Sequence, residues 1–304
     1  MFKFILYKFG QFLVNRLPLR MSYRLAIFVS DLHYLFSFRD RRAVRSNLRI
    51  ILPEKSDVEW NVREVFRNFG RYLVEFFRMA NEIDGRFIKE RVVTENLHYI
   101  DEALKKGKGA ILLSGHIGNW ELGGVLLSLL GYPSVAIALP HKERPVNDLF
   151  NKQREARGLV IVPPQAATRR CLSILNKNKI IAVVADRSFG PNGFILDFLG
   201  KKSLFPKGPA IFSVKTGAPI VPVFLVRAGE GRFRIIVHKP IDPGVVDGNG
   251  RINEGLLKNL IKKYIRIIEQ MIRAYPDQWL MFRDYSVEET YKVIREIKAE
   301  SAAP

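Results

Sequence analysis

Cysteine is almost absent from this chain, since Cys171 is the only one among 304 residues. A single cysteine excludes an internal disulfide framework and any metal site built from cysteine ligands. Cys171 follows two arginines in a predicted helix, and no histidine is near it in the sequence. We therefore interpret Cys171 as a buried small apolar residue rather than a nucleophile, although the sequence alone leaves both open.

Long uncharged apolar runs are also lacking. No stretch reaches the roughly 18–20 residues that a transmembrane helix needs, and no small-residue cleavage site of a signal peptide follows the basic and apolar amino terminus. Instead, apolar residues recur there at helical intervals: Phe2, Ile5, Leu6, Phe9, Phe12 and Leu13. Lysines occupy the other face. We predict an amphipathic helix over residues 1–20 that associates with a membrane, the alternative being a helix packed on the domain.

Acidic residues are too few to balance the basic ones. The chain has 49 lysines and arginines against 30 acidic residues, which gives a net charge of +19. Such an excess attracts nucleic acid, anionic lipid headgroups or an acidic protein. Nucleic-acid binding is disfavoured, because it predicts aromatic residues interleaved with lysine on exposed strands. Most phenylalanines here fall on amphipathic helical faces instead.

The order of patterns along the chain predicts an α/β fold. Residues 21–105 are mainly helical in pattern, and Ser56 with Glu59 forms a candidate capping box before a phenylalanine-rich helix. That helix fits either a core face or the wall of a lipid groove. Short apolar runs then alternate with helix-length segments: 110–113, 135–139, 159–162, 180–185, 220–226 and 233–238.

This alternation predicts a mostly parallel central sheet flanked by helices. Pro219 and Pro222 predict that the run 220–226 is an edge strand or has an irregular entry. We predict one domain over residues 21–304, with its α/β core at about 106–292.

The segment Gly-His-Ile-Gly-Asn-Trp-Glu at residues 115–121 carries the strongest functional signal. It follows a predicted strand, and side chains just beyond strand ends lie where α/β enzymes keep their chemistry. His116 with Glu121 can form a general base and a carboxylate that orients it. Asn119 is a candidate helix N-cap that would place Glu121 in the first turn, near the imidazole. The alternative is a capping carboxylate and a structural loop histidine.

Asp186 and Arg187 directly follow the predicted strand 180–185. The carboxyl ends of parallel strands converge on one crevice, so Asp186 is expected near His116 if the two strands are neighbours. A plain turn at the end of the strand is the alternative.

Two further basic positions are candidate substrate contacts. Arg154 could clamp a phosphate or stabilise a developing oxyanion, or it could be a solvated helix residue. Lys207, with Lys201 and Lys202, precedes a predicted helix and would suit an anionic headgroup or a carrier phosphate. An ordinary basic surface loop explains these lysines equally well.

Together these segments resemble the lysophospholipid-acyltransferase superfamily, and within it the bacterial lipid A biosynthesis (lauroyl/myristoyl) acyltransferases. His116 and Glu121 match the superfamily motif His-x4-Asp/Glu. The other matches follow in order along the chain: Arg41-Arg42, Asn47-Leu48, Leu52-Pro53, Asn68, Gly70, Glu75, Asp186, Phe189-Gly190-Pro191, Gly217 to Val223, Pro276 to Trp279 and Phe282-Arg283. The branch usually has glutamine or histidine where this chain has Arg187, and many members begin with a full transmembrane helix.

The resemblance implies an O-acyltransferase that needs no metal and no cofactor. His116 would deprotonate a hydroxyl of a lipid A precursor or a similar membrane glycolipid, with Glu121 orienting the histidine. Arg154 and Asp186, with Asn119, Arg187 and Lys207 in support, would hold substrate or the tetrahedral intermediate. The acyl donor would be acyl carrier protein or coenzyme A thioester.

The same resemblance implies partners and a location. They are an acidic acyl carrier protein, a glycolipid acceptor and the anionic cytoplasmic face of the inner membrane, to which the protein would attach peripherally. A glycerolipid or a phosphatidylinositol mannoside is the alternative acceptor, and a non-catalytic lipid-binding protein is a more remote reading. The acyl chain length and the oligomeric state stay open.

Overall fold

A seven-stranded sheet forms the centre of the fold in the computed structural model, which describes residues 2–188, 190–244 and 253–302. Phe189, one of the residues of the resemblance, lies outside these ranges. The sheet has the order β1-β9-β8-β2-β5-β3-β4. Its strands are β1 (Val92–Glu95), β2 (Ala110–Ser114), β3 (Ser134–Ile137), β4 (Val160–Val162), β5 (Ile180–Val184), β8 (Ile220–Gly229) and β9 (Arg232–Val237). Neighbouring strands are parallel except for the antiparallel pair β8–β9.

Helices cover both faces of this sheet, which confirms the predicted α/β architecture with a mostly parallel centre. The helices before β2 are α1 (Phe2–Arg16), α2 (Leu19–Phe36), α3 (Phe38–Ile51), α4 (Val58–Glu82), α5 (Gly85–Arg91) and α6 (His98–Lys105). Those after it are α7 (Trp120–Leu129), α8 (Arg144–Glu155), α9 (Pro164–Leu175), α10 (Gly208–Thr216), α11 (Glu254–Ala274) and α12 (Val287–Ala302). Among the described residues, no helix is long and apolar enough to cross a membrane.

Three strands of the structure were not predicted from the sequence. The edge strand β1 lies inside the segment that was predicted to be helical. A separate antiparallel hairpin, β6 (Gly193–Phe198) and β7 (Lys201–Pro206), occupies a segment in which no strand was predicted. Each strand has only six residues, and neither alternates polar and apolar residues along its sequence. Runs this short that lack alternation carry a weak periodic signal.

The prediction that 220–226 is an edge strand is wrong, because β8 lies between β9 and β2. The backbone carbonyl of Pro222 accepts a hydrogen bond from His238 N, beyond the last residue of β9. The N–H that proline lacks would face the same side, past the end of the neighbouring strand. Pro222 therefore costs the sheet at most one hydrogen bond, at the end of the β8–β9 pairing, so the strand can lie between β9 and β2.

The long helix α4 joins the amino-terminal helices to the sheet. It begins at a different cap from the one predicted, since Asp57 Oδ1 accepts from Trp60 N at 2.9 Å, while Glu59 pairs with Arg45. Gly70 sits where α4 crosses α2, and a Cβ there would lie 2.2 Å from Ser30 Oγ and 2.9 Å from the Ala26 carbonyl. Only glycine permits so close an approach of the two helices.

Candidate active site

His116 and Asp186 are brought together by the register of β2 and β5. Ser114 at the end of β2 pairs with Val184 at the end of β5, so the residues two positions further along each strand are adjacent. His116 Nδ1 lies 2.6 Å from Asp186 Oδ1, and the backbone N of His116 donates to Asp186 Oδ2 at 3.0 Å. The expected proximity of these two residues is therefore confirmed.

Glu121 does not orient the histidine, which corrects the geometry expected from the motif. Both of its oxygens accept from Arg154, at 2.6 Å from Nη2 and 2.8 Å from Nε. Asn119 is the N-cap of α7 as predicted, with Oδ1 accepting from Leu122 N at 3.0 Å. Glu121 does lie in the first turn of α7, but the side chain faces α8 instead of the imidazole. The carboxylate in contact with His116 is Asp186.

The turn between β2 and α7 depends on one glycine. Gly118 has φ +62°, and a Cβ there would lie 1.9 Å from the carbonyl oxygen of Leu225. Its N–H donates to the Gln278 carbonyl at 2.9 Å, and Asn119 N donates to the Leu225 carbonyl at 3.0 Å. Since His116 N is taken by Asp186, these three N–H groups are engaged within the protein. They are therefore not free to stabilise an oxyanion of a substrate.

A segment near the carboxyl terminus closes the site from the side. Trp279 Nε1 donates to Asp186 Oδ2 at 3.2 Å, and Leu280 N donates to the His116 carbonyl at 2.9 Å. Trp279 therefore fixes the carboxylate that fixes the histidine. No role for Trp279 was predicted, and the signal that could have found it is its place in the matched motif Pro276 to Trp279.

A buried ionic network lies behind the turn. Glu75 Oε1 accepts from Arg227 Nη2 and Nε, at 2.7 and 3.0 Å, and from the Tyr23 hydroxyl at 3.0 Å. Glu75 Oε2 accepts from Asn119 Nδ2 at 2.8 Å, and Arg227 Nη1 donates to Asn68 Oδ1 at 2.8 Å. The residue that caps α7 is thus held by a carboxylate on α4, which in turn is held by α2 and β8.

A cavity of about 1110 Å³, here called the central cavity, opens at this end of the sheet and reaches His116. This volume lies just above the usual range of small-molecule pockets, roughly 300–1,000 Å³. Most of the wall is apolar and includes Phe69, Tyr72, Leu127, Phe150, Leu159 and Phe212. The charged side chains on the wall include Glu121, Arg154, Arg187 and Arg283. A mostly apolar wall with a few charged groups suits an apolar chain with a polar end.

The sequence left open whether the phenylalanine-rich helix α4 forms a core face or the wall of a groove. In the structure it does both. Val62 and Phe66 are buried in the core on one face of the sheet. Phe69 and Tyr72, further along the helix, line the central cavity. Tyr72 stacks on Trp120 with 4.9 Å between ring centroids, and Trp120 contacts the His116 ring edge-to-face at 4.7 Å.

Burial sets the protonation states of the pair. Burial and the charge of Arg187 hold the pKa of His116 below its ordinary value, although Asp186 opposes this. Burial also disfavours the charge on Asp186, but the adjacent His116 and its hydrogen bonds outweigh that effect and keep the pKa of Asp186 well below its usual range. A neutral imidazole whose Nδ1–H faces a carboxylate leaves Nε2 as a proton acceptor. The pair can therefore work as a general base near neutral pH.

Arg154 and Lys207, the two basic candidates for substrate contact, are each paired with a carboxylate. Arg154 is held by Glu121, and the neighbouring Asn151 Oδ1 accepts from its Nη1 at 3.1 Å. Lys207 Nζ binds Glu254 at 2.9 Å and lies 4.2 Å from the Phe194 ring centroid. Its neighbours Pro206 and Gly208 line the central cavity.

Cys171 is buried, and burial raises the pKa of its thiol to about 11. The thiol is therefore protonated at neutral pH, which supports the apolar interpretation over the nucleophile. Across the described ranges, no three His, Cys, Asp or Glu side chains are grouped so that they could hold a metal ion.

The pH dependence of kcat/KM follows from the His116 pKa. We expect the rate to rise with pH as His116 loses its proton, with a midpoint below the ordinary histidine value of 6.5. A pH series of initial rates at low substrate, in buffers of constant ionic strength, measures this midpoint. A midpoint above 6.5 would mean that the attraction of Asp186 exceeds the effect of burial.

Comparison with known proteins identifies a matching family and several sequence relatives of this chain. The family model of the bacterial lipid A biosynthesis acyltransferases matches residues 1–285. A phosphatidylinositol mannoside acyltransferase of Mycolicibacterium smegmatis is 28% identical over 283 residues, which cover 91% of this chain and 89% of the relative. The lipid A biosynthesis lauroyltransferase of Escherichia coli is 23% identical over 75% of each chain.

Among solved structures, the 1-acyl-sn-glycerophosphate acyltransferase of Thermotoga maritima is similar with a TM-score of 0.36 and 18% identity. The match covers 84% of this chain and 98% of the chain in that structure.

Proposed function

The chain belongs to the bacterial lipid A biosynthesis acyltransferase family and is an acyltransferase, and we propose that its acceptor is a sugar hydroxyl of a phosphorylated membrane glycolipid. The observation that carries the proposal is the His116–Asp186 pair at the head of the central cavity. A general base beside a long apolar cavity suits a reaction between a fatty acyl chain and a polar hydroxyl.

The proposed reaction uses His116 as base and then as acid. Nε2 takes the proton of the acceptor hydroxyl while the oxygen attacks the carbonyl carbon of an acyl thioester. The tetrahedral intermediate collapses with cleavage of the C–S bond, and the thiolate leaves with the proton from the imidazolium. Asp186 holds the imidazole through Nδ1 and balances the transient positive charge, as in other histidine-carboxylate pairs.

Glu121 and Arg154 have a different proposed role. Their buried bidentate pair joins the first turn of α7 to the last turn of α8. It sits on the wall of the central cavity, so it would fix the wall against which the acyl chain or the acceptor lies. We therefore treat both as positioning residues and keep His116 and Asp186 as the proposed catalytic pair.

Two acceptors have support. A lipid A precursor follows from the description of the family, whereas the higher identity and coverage of the mycobacterial relative favour a phosphatidylinositol mannoside. Both combine a sugar hydroxyl with a phosphorylated, membrane-bound lipid. The donor would be an acyl carrier protein or coenzyme A thioester. The net charge of +19 suits either anionic donor.

An acceptor panel tests this proposal. The donor is acyl-loaded acyl carrier protein or acyl-coenzyme A with a radiolabelled acyl group. Purified protein and donor are incubated with one acceptor at a time: a lipid A precursor, a phosphatidylinositol mannoside or a lysoglycerophospholipid. We expect labelled product on one of the two glycolipids, because only these offer a sugar hydroxyl. Product on the lysoglycerophospholipid alone would overturn the glycolipid assignment while leaving the acyltransferase chemistry in place.

An exposed apolar surface on α1, α2 and the start of α3 supports membrane attachment. Its members are all more than a third exposed: Ile5, Leu6, Phe9, Phe12, Met21, Phe28, Val29, Leu32, Leu35, Phe36 and Phe38. Exposed basic residues border it: Lys3, Lys8, Arg16, Arg20, Arg24 and Arg39. The other side of α1 packs on the domain through Val14, Phe4 and Tyr7. Both interpretations of the amino-terminal helix, as membrane-associated and as packed on the domain, thus have support. The proposed membrane surface extends beyond the predicted residues 1–20.

Vesicle binding tests this surface. The double variant Phe28→Ser/Phe36→Ser is expected to float less with anionic phospholipid vesicles, because it removes apolar area from the interface. Val93→Ser, which removes a similarly exposed apolar side chain from the sheet edge β1, is the control. Equal flotation of both variants and the unmodified protein would contradict the assignment.

A further inference from the structure

Three helices cover part of one face of the sheet, and α10 contacts both α9 and α11. Their inward sides join the hydrophobic core through residues such as Cys171, Phe212 and Ile261. Their outward sides, here called the basic face, carry eight exposed basic residues: Arg169, Arg170, Lys215, Lys258, Lys262, Lys263, Arg266 and Arg273.

The positive charge of the basic face is not balanced within the protein. The acidic residues on these three helices are Glu254 and Glu269, and each has a partner outside the eight. Glu254 accepts from Lys207 Nζ at 2.9 Å, and Glu269 accepts from Leu199 N at 2.7 Å. None of the eight basic side chains forms an ion pair with another described residue. A surface with such an excess attracts an anionic partner.

The basic face lacks apolar anchors for a bilayer. Among the described residues, no exposed large apolar side chain lies on α9, α10 or α11. A helix that lies in a membrane interface combines its basic residues with exposed apolar ones, as α1 and α2 do. The basic face therefore suits an anionic partner that comes from water.

The extent of the basic face suits a protein better than a nucleotide. Lys258 and Arg266 are eight residues apart on α11, which corresponds to about 12 Å along the helix. Packed helices lie about 8–10 Å apart, so the charges on α9 are roughly 16–20 Å from those on α11. The nucleotide of coenzyme A would contact only part of this surface, whereas a protein interface covers about 800 Å² on each partner.

The basic face adjoins an opening of the central cavity. The described residues of the cavity wall that are exposed are Leu139, Thr168 and Asn192, so the wall reaches the surface there. Thr168 lies on α9, and Arg169 of the basic face directly follows it. The charges of α9 thus begin at the edge of the opening.

The charges of α11 approach the cavity through Lys207. This lysine lies between Pro206 and Gly208, which both line the cavity wall. Lys207 and Lys258 lie over the same Phe194 ring, with Nζ 4.2 and 5.1 Å from its centroid. The basic face therefore reaches the central cavity from α11 as well as from α9.

We propose that the basic face docks an acidic acyl carrier protein, whose thioester arm enters the central cavity through the adjoining opening. This inference rests on the proposed function and selects one of its two donors. Acidic side chains of the carrier pair with the lysines and arginines of the three helices. Exposed charge pairs of this kind speed and orient association more than they raise affinity, and salt screens them.

Charge reversal tests the docking. The face variant Lys262→Glu/Arg266→Glu places two negative charges in the middle of the basic face. The control variant Lys89→Glu/Lys105→Glu changes the net charge by the same amount at exposed positions of α5 and α6. Both variants and the unmodified protein are assayed with acyl carrier protein and with acyl-coenzyme A. The two donors carry the same radiolabelled acyl group, and the glycolipid acceptor is held constant.

We expect the face variant to lower kcat/KM for acyl carrier protein at least about tenfold, because like charges now slow the association. The rate with acyl-coenzyme A should be retained, which reports that the variant is folded. The control variant should match the unmodified protein with both donors. Added salt should lower kcat/KM for the carrier less steeply in the face variant than in the unmodified protein.

Three results would each overturn the proposal. The first is an equal loss with both donors, which would mean that the basic face does not distinguish the carrier from coenzyme A. The second is unchanged kinetics with the carrier. The third is weaker flotation of the face variant with anionic vesicles, which would make the basic face a membrane surface.

A binding measurement separates this inference from the proposed function. Fluorescence anisotropy of labelled acyl carrier protein without an acyl group is expected to show saturable binding to the unmodified protein and to the control variant, and none to the face variant. Such binding by a protein that acylates no glycolipid would leave the docking surface standing and remove the proposed function. Acylation of a glycolipid from acyl-coenzyme A, without any binding of the carrier, would do the reverse.

Discussion

Replacement of His116 by glutamine is expected to lower kcat by about 10²–10⁴-fold, the usual contribution of a positioned general base. Glutamine keeps a polar side chain next to Asp186 but cannot take a proton from the acceptor hydroxyl. KM should change little, because the apolar wall of the central cavity is untouched. Single-turnover acyl transfer at saturating donor and acceptor measures the effect on the chemical step.

The matched control is His98→Gln. His98 also lies near a carboxylate, 3.9 Å from Glu102, but on the exposed surface of α6. Its replacement is expected to leave kcat unchanged. If His116→Gln retained full acyl transfer, the catalytic assignment of His116 would be withdrawn.

Replacement of Arg227 by methionine is expected to destabilise the protein by about 3–5 kcal/mol, because it leaves a buried charge without its partner. Arg227 makes two hydrogen bonds to Glu75, and both side chains are at least nine-tenths buried. Glu75 would keep only Tyr23 and Asn119 as donors. Denaturant unfolding, compared at a common slope, measures the change in the free energy of unfolding.

Two further variants serve as controls: one removes an exposed arginine, and the other removes both members of the buried pair. Arg86→Met removes an exposed arginine paired with Glu90 at 2.7 Å and is expected to leave the unfolding midpoint unchanged, since solvent screens such pairs. The double variant Glu75→Leu/Arg227→Met removes the buried pair as a unit and should be less destabilised than Arg227→Met alone. Additive losses from Glu75 and Arg227 would contradict their coupling.

The predicted architecture came from features that are local in the sequence. Strands β2 and β5 are short apolar runs, and His116 and Asp186 follow them directly, so a rule about strand ends was enough to place the two residues together. Asn119 was recognisable as a cap because capping depends on the next three residues.

The parts that the sequence did not predict depend on contacts between distant segments. Glu121 is separated from Arg154 by 33 positions, and Trp279 from Asp186 by 93. No spacing rule connects such residues, so a carboxylate five residues after a histidine was assigned to that histidine. The charged Arg227 gave no signal of its own within an apolar strand, because its partner Glu75 lies on a helix 152 positions earlier.

The pairing of β2 with β5 has a consequence for how this site can vary. Side chains in a strand alternate between faces, so a slip of one residue reverses them. A single inserted residue between Ile180 and Asp186 would move the carboxylate out of phase with His116, although no active-site residue had changed. Insertions of any length in the loops between α7 and β5 would leave the carboxylate on the same side of the sheet relative to His116. The spacing that matters is thus counted within β2, β5 and the residues that directly follow each strand, whereas the loops between α7 and β5 can change in length without altering it.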